Sequence, residues 1–119
     1  MKFIRACKFA LEGIYFCLKH ELNYRIQFAV LCLAIILGWT LKISPTEWLF
    51  LIGISAAVIS LEMINTALEQ LCDGFCDKPD PRIKIIKDVA AGAVWINALA
   101  SMVIGSVIFI PKLLQLLHQ

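Results

Sequence analysis

Three long apolar segments run along the chain and are separated by short polar connections. They cover residues 28–41, 48–71 and 89–110, and the half-polar residues 22–27 lengthen the first of them. Each segment is then close to the roughly 20 residues that a helix needs to cross a hydrocarbon core of about 30 Å. The pattern therefore predicts membrane-spanning helices over about 22–42, 46–76 and 82–110.

The N-terminal region has a different pattern, in which apolar residues recur at helical spacing among charged ones. The apolar positions are Phe3, Ile4, Cys7, Leu11, Ile14, Tyr15 and Leu18. This spacing predicts an amphipathic helix over about 2–19 that lies on the membrane surface. A helix that packs on a water-facing surface is the alternative. The interspersed charges argue against a removable signal peptide, which has one uninterrupted apolar core.

Proline residues mark the connections between the predicted spans. The Ser-Pro pair at 44–45 stops one helix and starts the next. Pro79 and Pro81 lack backbone donors and restrict the residues before them, so the second span has to end near residues 76–77. In the third span, Pro111 is a position where the helix can kink or end. The chain is predicted to be one all-α integral membrane domain, residues 1–119, with a surface helix and three spans.

The composition agrees with a membrane environment, and the distribution of basic residues predicts an orientation. Of the 119 residues, 61% are hydrophobic and the mean hydropathy is +0.83, which is more apolar surface than so short a soluble chain can bury. Basic residues concentrate in the N-terminal arm and the second connection, at Lys2, Arg5, Lys8, Lys19, Arg25, Lys78, Arg82, Lys84 and Lys87. The positive-inside rule therefore places both regions in the cytoplasm and the first connection and the C-terminus outside.

Charge and cysteine content exclude several classes of protein. The net charge of +2 gives no argument for a nucleic-acid partner. The five cysteines are an odd number and are scattered, so they predict no disulfide framework. Cys72 and Cys76 are one helical turn apart but lack the second ligand pair of a zinc site. Glycine-rich nucleotide-binding loops are also absent, so any nucleotide chemistry takes place on another kind of fold.

Four polar side chains interrupt the second apolar segment: Glu62, Asn65, Glu69 and Asp73. With Glu62 at 0°, the other three fall at about 300°, 340° and 20° around a helix, so all four share one stripe. A carboxylate at bilayer depth normally faces a cavity, pairs with another group or binds a cation. Snorkelling at a helix end explains Asp73 and in part Glu69, but not Glu62. The stripe is compatible with a proton relay, ion transport or a Mg²⁺ site for phosphoryl transfer.

The start of the third span carries a second group of candidates. Lys84, Lys87, Asp88 and Ala91 lie on one helix face at i, i+3, i+4 and i+7. Lys87 can neutralise phosphate charge there, and the small residues leave room for a substrate. An ordinary interfacial lysine and a helix-dipole role for Asp88 are the alternatives. Glu21, at the junction of the surface helix and the first span, is either a further metal ligand or a solvated charge.

Taken together, these residues form a recognisable pattern. Glu62-x-x-Asn65-Thr66-Ala67-x-Glu69-x-x-x-Asp73, followed by Lys87-Asp88-x-Ala90-Ala91-x-Ala93, closely resembles the prokaryotic diacylglycerol kinase family of small membrane enzymes. Chain length, the amphipathic N-terminus, Glu21 and the three spans agree with that resemblance. It implies a homotrimer with composite active sites between subunits, in which the γ-phosphate of MgATP is transferred to the hydroxyl of a membrane lipid.

The resemblance also implies roles for individual residues. Glu62 would take the proton from the lipid hydroxyl, Asn65 would orient the reacting groups, and Ala91 would line the lipid site with Glu62. Glu21 and Glu69 would hold Mg²⁺. The implied nucleotide-binding residues are Phe9, Glu21, Glu69, Asp73, Lys78, Asp80, Lys87 and Asp88.

The lipid acceptor is less well specified by these motifs. The segment GFCDKPDPRIKIIKD (residues 74–88) and the run KDVAAGAV (residues 87–94) look more like the undecaprenol kinase branch of the family. Gln27 stands where some relatives have a second acidic residue. Undecaprenol is therefore the favoured acceptor, and diacylglycerol, converted to phosphatidic acid by the same mechanism, is the alternative.

Two other classes of protein compete with a kinase. An ion- or proton-handling membrane protein would need polar residues that continue toward the outer face, for which Ser55 and Ser60 are thin support. A membrane subunit that only scaffolds a partner explains neither the acidic stripe nor the pair formed by Lys87 and Asp88. Carboxylates confined to the cytoplasmic half of the span favour an enzyme that is open to one side.

Overall fold

The computed structural model describes all residues, 1–119, and consists of four α-helices. They are α1 (Lys2–His20), α2 (Leu22–Thr40), α3 (Pro45–Phe75) and α4 (Pro81–Leu117). Three of them, α2, α3 and α4, are long and apolar enough to cross a membrane. The predicted all-α membrane fold is therefore confirmed, as is the number of candidate spans.

Side-chain caps determine where α3 and α4 begin. The Ser44 hydroxyl accepts a hydrogen bond from the Glu47 backbone at 3.2 Å, and the Glu47 carboxylate accepts one from the Ser44 backbone at 2.9 Å. Asp80 caps α4 by accepting a hydrogen bond from the Arg82 backbone at 2.9 Å. A proline occupies the start of each helix, where its missing N–H costs nothing.

The last helix extends further than the predicted end of the third span. Pro111 lies inside α4, and the helix continues to Leu117. Proline removes one intrahelical hydrogen bond without forcing the helix to end. The Lys112 ammonium lies 3.5 Å from the Glu47 carboxylate at the start of α3, which ties this part of α4 to the bundle. The residue at which the third span leaves the membrane stays a prediction.

The apolar core lies near the connection between α2 and α3. Ile43, Leu51 and Ile108 are buried together there and bring α3 against α4. The backbone of α2 comes close to this cluster at Gly38, where an added Cβ would lie 3.0 Å from both Ile43 and Trp48. Glycine at this position therefore permits the close approach.

The opposite end of the α2–α3 pair has a polar interior. Cys17 of α1, Tyr24 of α2, and Glu62 and Thr66 of α3 are all buried there. Only 10 of the 119 residues in the chain are buried, and large apolar side chains such as Trp95 and Ile96 are exposed on α4. Most of the hydrophobic surface is therefore left for lipid or for other copies of the chain to cover.

Candidate active site

The polar stripe of α3 begins at a buried carboxylate. Glu62 is 7% exposed although the chain is shown alone, and Thr66, which lies one turn further along α3 beside the stripe, is 5% exposed. Within the stripe, Asn65 Nδ2 donates a hydrogen bond to Glu69 Oε1 at 3.1 Å. The amide thereby holds one carboxylate oxygen of Glu69. Asn65 Oδ1 is buried and has no hydrogen-bond partner, so it is available to a ligand.

Glu21 joins this group from the junction between α1 and α2. It is the single residue between the two helices, with an extended backbone at φ −113° and ψ 112°, and its N–H donates to the Cys17 carbonyl at 2.9 Å. Glu21 and Glu69 both lie close enough to Glu62 for their charges to act on its carboxylate. The structure therefore gathers in one region the predicted base and the two predicted metal ligands.

Three uncharged side chains complete the interior beside Glu62: Cys17, Tyr24 and Thr66. Burial raises the pKa of the Cys17 thiol, and the nearby carboxylate of Glu21 raises it as well. The thiol is therefore protonated at neutral pH and adds no charge to the site. No role was predicted for these three residues, although Thr66 belongs to the quoted family motif. Glu21 breaks the helical periodicity between Cys17 and Tyr24, so the spacing along one helix does not predict that the two residues meet.

A cleft of about 810 Å³ lies where α3 ends and α4 begins. Most of the predicted nucleotide-binding residues line it, namely Asp73, Lys78, Asp80, Lys87 and Asp88. The two prolines of the connection and the cap of α4 bring these side chains around one opening. Its volume and mixed charge are suited to a small, polar, multiply charged ligand.

Ion pairs hold the charged side chains of the cleft. The Lys87 ammonium lies 2.7 Å from Asp73 Oδ1 and so links α4 to α3, while the Lys84 ammonium lies 2.6 Å from Asp88 Oδ2. These pairs are exposed and contribute little to stability. Their importance is positional, because an incoming phosphate oxygen can replace the carboxylate beside Lys87.

Asp80 is held in its charged form at the rim of the cleft. The Arg82 side chain and then the Arg82 backbone N–H donate hydrogen bonds that lower the pKa of Asp80 below its usual range. The cap is therefore present at neutral pH and is lost only as the pH falls through that lowered pKa.

Other predicted residues are not part of the cleft. Phe9 is 60% exposed on α1, Ala91 is exposed on α4, and neither of them lines the cleft. Nowhere in the chain do three or more His, Cys, Asp or Glu side chains come together in a way that could hold a metal ion. Mg²⁺ binding by Glu21 and Glu69 stays a prediction. Two carboxylates fit that ion, since Mg²⁺ usually takes one or two carboxylates and completes its shell with phosphate and water.

The chain is similar to known proteins over most of its length. The sequence profile of the family described as "Prokaryotic diacylglycerol kinase" matches residues 8–109. An undecaprenol kinase of Bacillus subtilis is 37% identical over 112 residues, which are 94% of this chain and 91% of that protein. A diacylglycerol kinase of Synechocystis sp. is 31% identical over 111 residues, which are 92% of this chain and 63% of that protein.

Proposed function

The chain belongs to the prokaryotic diacylglycerol kinase family and is a multi-pass membrane lipid kinase, and from that premise we propose that it transfers the γ-phosphate of ATP to the hydroxyl of undecaprenol. Support for this acceptor is the 37% identity to an undecaprenol kinase along nearly the whole of both chains. The similarity to a diacylglycerol kinase is lower and covers 63% of that protein, which leaves diacylglycerol as the second candidate acceptor.

The observation that carries the proposal is the position of Glu62. Glu62 lies on the apolar helix α3, and its side chain is buried in the bundle. Roughly three turns separate it from Cys72, the first residue of the same helix that lines the charged cleft. A lipid alcohol reaches such a depth from the bilayer, whereas a nucleotide reaches the cleft from water. Helix α3 thus connects the bilayer depth at which the lipid is soluble with the cleft that the nucleotide reaches from water.

In the proposed reaction, Glu62 acts as the general base. Its carboxylate takes the proton from the lipid hydroxyl, and the lipid oxygen forms a bond to the γ-phosphorus of ATP. The bond from that phosphorus to the bridging oxygen of the β-phosphate breaks, and ADP leaves. Phosphoryl transfer of this kind requires positioning and charge neutralisation more than covalent help from the protein.

Glu21 and Glu69 are the residues that would hold Mg²⁺. Asn65 fixes one oxygen of Glu69 by its hydrogen bond, so the carboxylate is oriented before any ligand arrives. The bound ion would neutralise charge on the phosphate oxygens. Asn65 Oδ1 has no partner in the chain and is free to accept a hydrogen bond from the reacting groups.

The nucleotide would occupy the cleft between α3 and α4. Lys87 contributes an ammonium that Asp73 already holds at the cleft, and Asp88 lies on the same face one residue further along. Lys78 and Asp80 line the connection on the other side. Phe9 is exposed and lies outside this cleft, so its predicted role in nucleotide binding gains no support from the geometry of the single chain.

The exposed apolar faces of the spans support an assembly of several copies, which the family resemblance implies to be a homotrimer with composite sites in a bacterial inner membrane. In this assembly, α1 would lie on the cytoplasmic membrane surface, with the N-terminus and the cleft inside and the C-terminus outside. The mass of the solubilised protein, corrected for detergent, tests the assembly, and a single-chain mass would contradict it. A reporter fused after Gln119 tests the orientation, and cytoplasmic activity of that reporter would contradict it.

The acceptor can be tested with the purified protein in lipid vesicles. We expect transfer of label from γ-labelled ATP to undecaprenol in the presence of Mg²⁺, and slower transfer to diacylglycerol at the same surface concentration. Faster labelling of diacylglycerol would reverse the choice of acceptor. Labelling of neither lipid would contradict the proposed reaction and favour an ion-handling or scaffolding role.

A further inference from the structure

Tyr24 is the most completely enclosed large side chain of the protein. It is 1% exposed, and its hydroxyl is buried without any hydrogen-bond partner. A buried hydroxyl that gives up water and gains no partner lowers stability, so such groups are rare unless a ligand or an ordered water completes them. Phenylalanine would fill the same space without this penalty. The hydroxyl of Tyr24 therefore needs an explanation beyond packing.

Tyr24 lies at the depth of the proposed base. The rise of a helix, about 1.5 Å per residue, puts Tyr24 roughly 24 Å along α2 from Thr40, next to the connection. The same rise puts Glu62 roughly 26 Å along α3 from Pro45, on the other side of that connection. Since α2 and α3 are joined by a short turn and run antiparallel, the two side chains lie at the same level of the bundle.

Cys17 links Tyr24 to the neighbourhood of Glu62. The buried Cys17 thiol lies close enough to the Tyr24 phenol and to the Glu62 carboxylate for electrostatic interaction with both, and it hydrogen-bonds with Thr66. The direct partner of the Tyr24 hydroxyl is best uncharged, because the carboxylates of Glu21 and Glu69 already act on that of Glu62, and in the proposed reaction the γ-phosphate would approach them only together with Mg²⁺. A neutral hydroxyl is such a partner, and it requires only one acceptor and one donor.

Glu62 supplies half of that requirement. None of the side-chain hydrogen bonds or ion pairs of the chain involves its carboxylate. Within the chain, an acceptor, Glu62, and a donor, Tyr24, thus lie at one depth of the bundle, and neither has a side-chain partner. An alcohol satisfies both at once, by donating its proton to the carboxylate and accepting a hydrogen bond from the phenol.

On the basis of the proposed function, we propose that the Tyr24 hydroxyl donates a hydrogen bond to the hydroxyl oxygen of the lipid acceptor while Glu62 accepts the proton of that hydroxyl. Tyr24 is then a substrate-binding residue for the alcohol head of the lipid. Because Tyr24 is 1% exposed and Glu62 is 7% exposed, binding of the alcohol to both requires the helices around them to move apart.

The substitution Tyr24→Phe removes only the hydroxyl and tests this proposal directly. We expect the KM for the lipid alcohol to rise about three- to tenfold, the value of one neutral hydrogen bond, with the KM for ATP unchanged. Stability should be unchanged or slightly higher, because an unpaired buried hydroxyl is removed. The protein has only one other tyrosine, Tyr15, which is 64% exposed on α1, so Tyr15→Phe is the matched control and should leave both KM values unchanged.

A second measurement separates binding of the hydroxyl from general damage. A polyprenyl hydrocarbon that lacks the hydroxyl, used as a competitive inhibitor, cannot accept a hydrogen bond from Tyr24. Its inhibition constant should therefore be the same for the wild type and for Tyr24→Phe, while the KM for the complete alcohol differs. The KM comparison and the inhibition comparison both use lipid phosphorylation as the readout, so they are made once the wild-type protein has been shown to phosphorylate the lipid.

Four results would overturn the proposal. If the lipid KM and kcat are both unchanged in Tyr24→Phe, the hydroxyl does not bind the lipid, and an ordered water is its partner. A fall in kcat with an unchanged lipid KM would show that the Tyr24 hydroxyl acts on Glu62 and does not bind the lipid. An equal loss for the hydrocarbon inhibitor, or an equal rise in the KM for ATP, would show that the substitution disturbs the site as a whole. Absence of lipid phosphorylation in the wild type would instead contradict the proposed function on which the inference depends.

Discussion

At the scale of single residues, Lys87 illustrates how an ion pair between two helices holds a cation at the cleft. Asp73 holds its ammonium at 2.7 Å, across the gap between two helices, and both side chains line the cleft. A lysine without a partner would sample many rotamers and would lose more entropy on binding. The pair therefore keeps the cation at the cleft at little cost, since a phosphate oxygen can take the place of the carboxylate.

We expect Lys87→Gln to raise the KM for ATP by at least about tenfold, because a charge-assisted contact to phosphate is lost. Steady-state kinetics with ATP varied at saturating lipid measures this effect. Lys112→Gln is the matched control, since Lys112 also lies on α4 and also pairs with a carboxylate of α3, at 3.5 Å, but at the end of α4 away from the cleft. Equal kinetic losses in the two variants would contradict a specific role for Lys87.

Helical periodicity was enough to predict which residues of α3 share a face, but not what each of them meets. The stripe through Glu62, Asn65 and Glu69 follows from spacing alone. The pair between Asp73 and Lys87 joins two helices, and the enclosure of Tyr24 requires α1, α2 and α3 together, so neither follows from one helix. The unpaired hydroxyl of Tyr24 becomes visible only after the tertiary structure is known.

At the scale of elements, local signals predict where helices begin better than where they end. Ser44 and Asp80 cap α3 and α4, each beside a proline, and the predicted starts were within a residue of the structure. Pro111 was taken as a position where α4 can kink or end, yet the helix continues to Leu117. The ion pair between Lys112 and Glu47 is a tertiary contact that supports the helix beyond the proline.

The close approach of α2 to α3 makes a testable prediction at Gly38. A Cβ there would lie 3.0 Å from Ile43 and from the Trp48 ring, so Gly38→Ala forces both to shift. Overpacking of this kind costs about 1–3 kcal/mol, and the better helix propensity of alanine offsets at most about 1 kcal/mol of it. We expect a lower unfolding midpoint in detergent. The control is Gly13→Ala, where the new Cβ would make an ordinary contact at 3.9 Å with Met63. If the unfolding midpoint of Gly38→Ala is as high as that of Gly13→Ala, the predicted overpacking is contradicted.

At the scale of the whole molecule, the single chain leaves most of its apolar surface to be covered by its surroundings. With 10 of 119 residues buried, the three candidate spans present apolar side chains on nearly every face. Length and hydropathy were sufficient to predict that these helices cross a membrane. Which faces meet lipid and which meet another copy depends on surfaces that one chain does not pair, so the proposed trimer could not be derived from hydropathy.

The polar interior at the Glu62 level and the charged cleft are the two features that distinguish this bundle from three inert spans. They are connected along α3, with Asn65 and Glu69 between them. The arrangement accounts for a reaction between a lipid that stays in the bilayer and a nucleotide that stays in water. In the proposed reaction, the central step is removal of the proton of the lipid hydroxyl by Glu62.

The substitution Glu62→Gln tests that step most directly, because glutamine keeps the size of the side chain and one acceptor oxygen and removes its basicity. The measurement is transfer of label from γ-labelled ATP to undecaprenol in vesicles, with Glu12→Gln, an exposed glutamate of α1, as the control. We expect Glu62→Gln to lose about 10²–10⁴-fold in kcat, the usual contribution of a general base, with folding and assembly intact and the control fully active. Near-normal turnover by a folded and assembled Glu62→Gln protein would contradict the account.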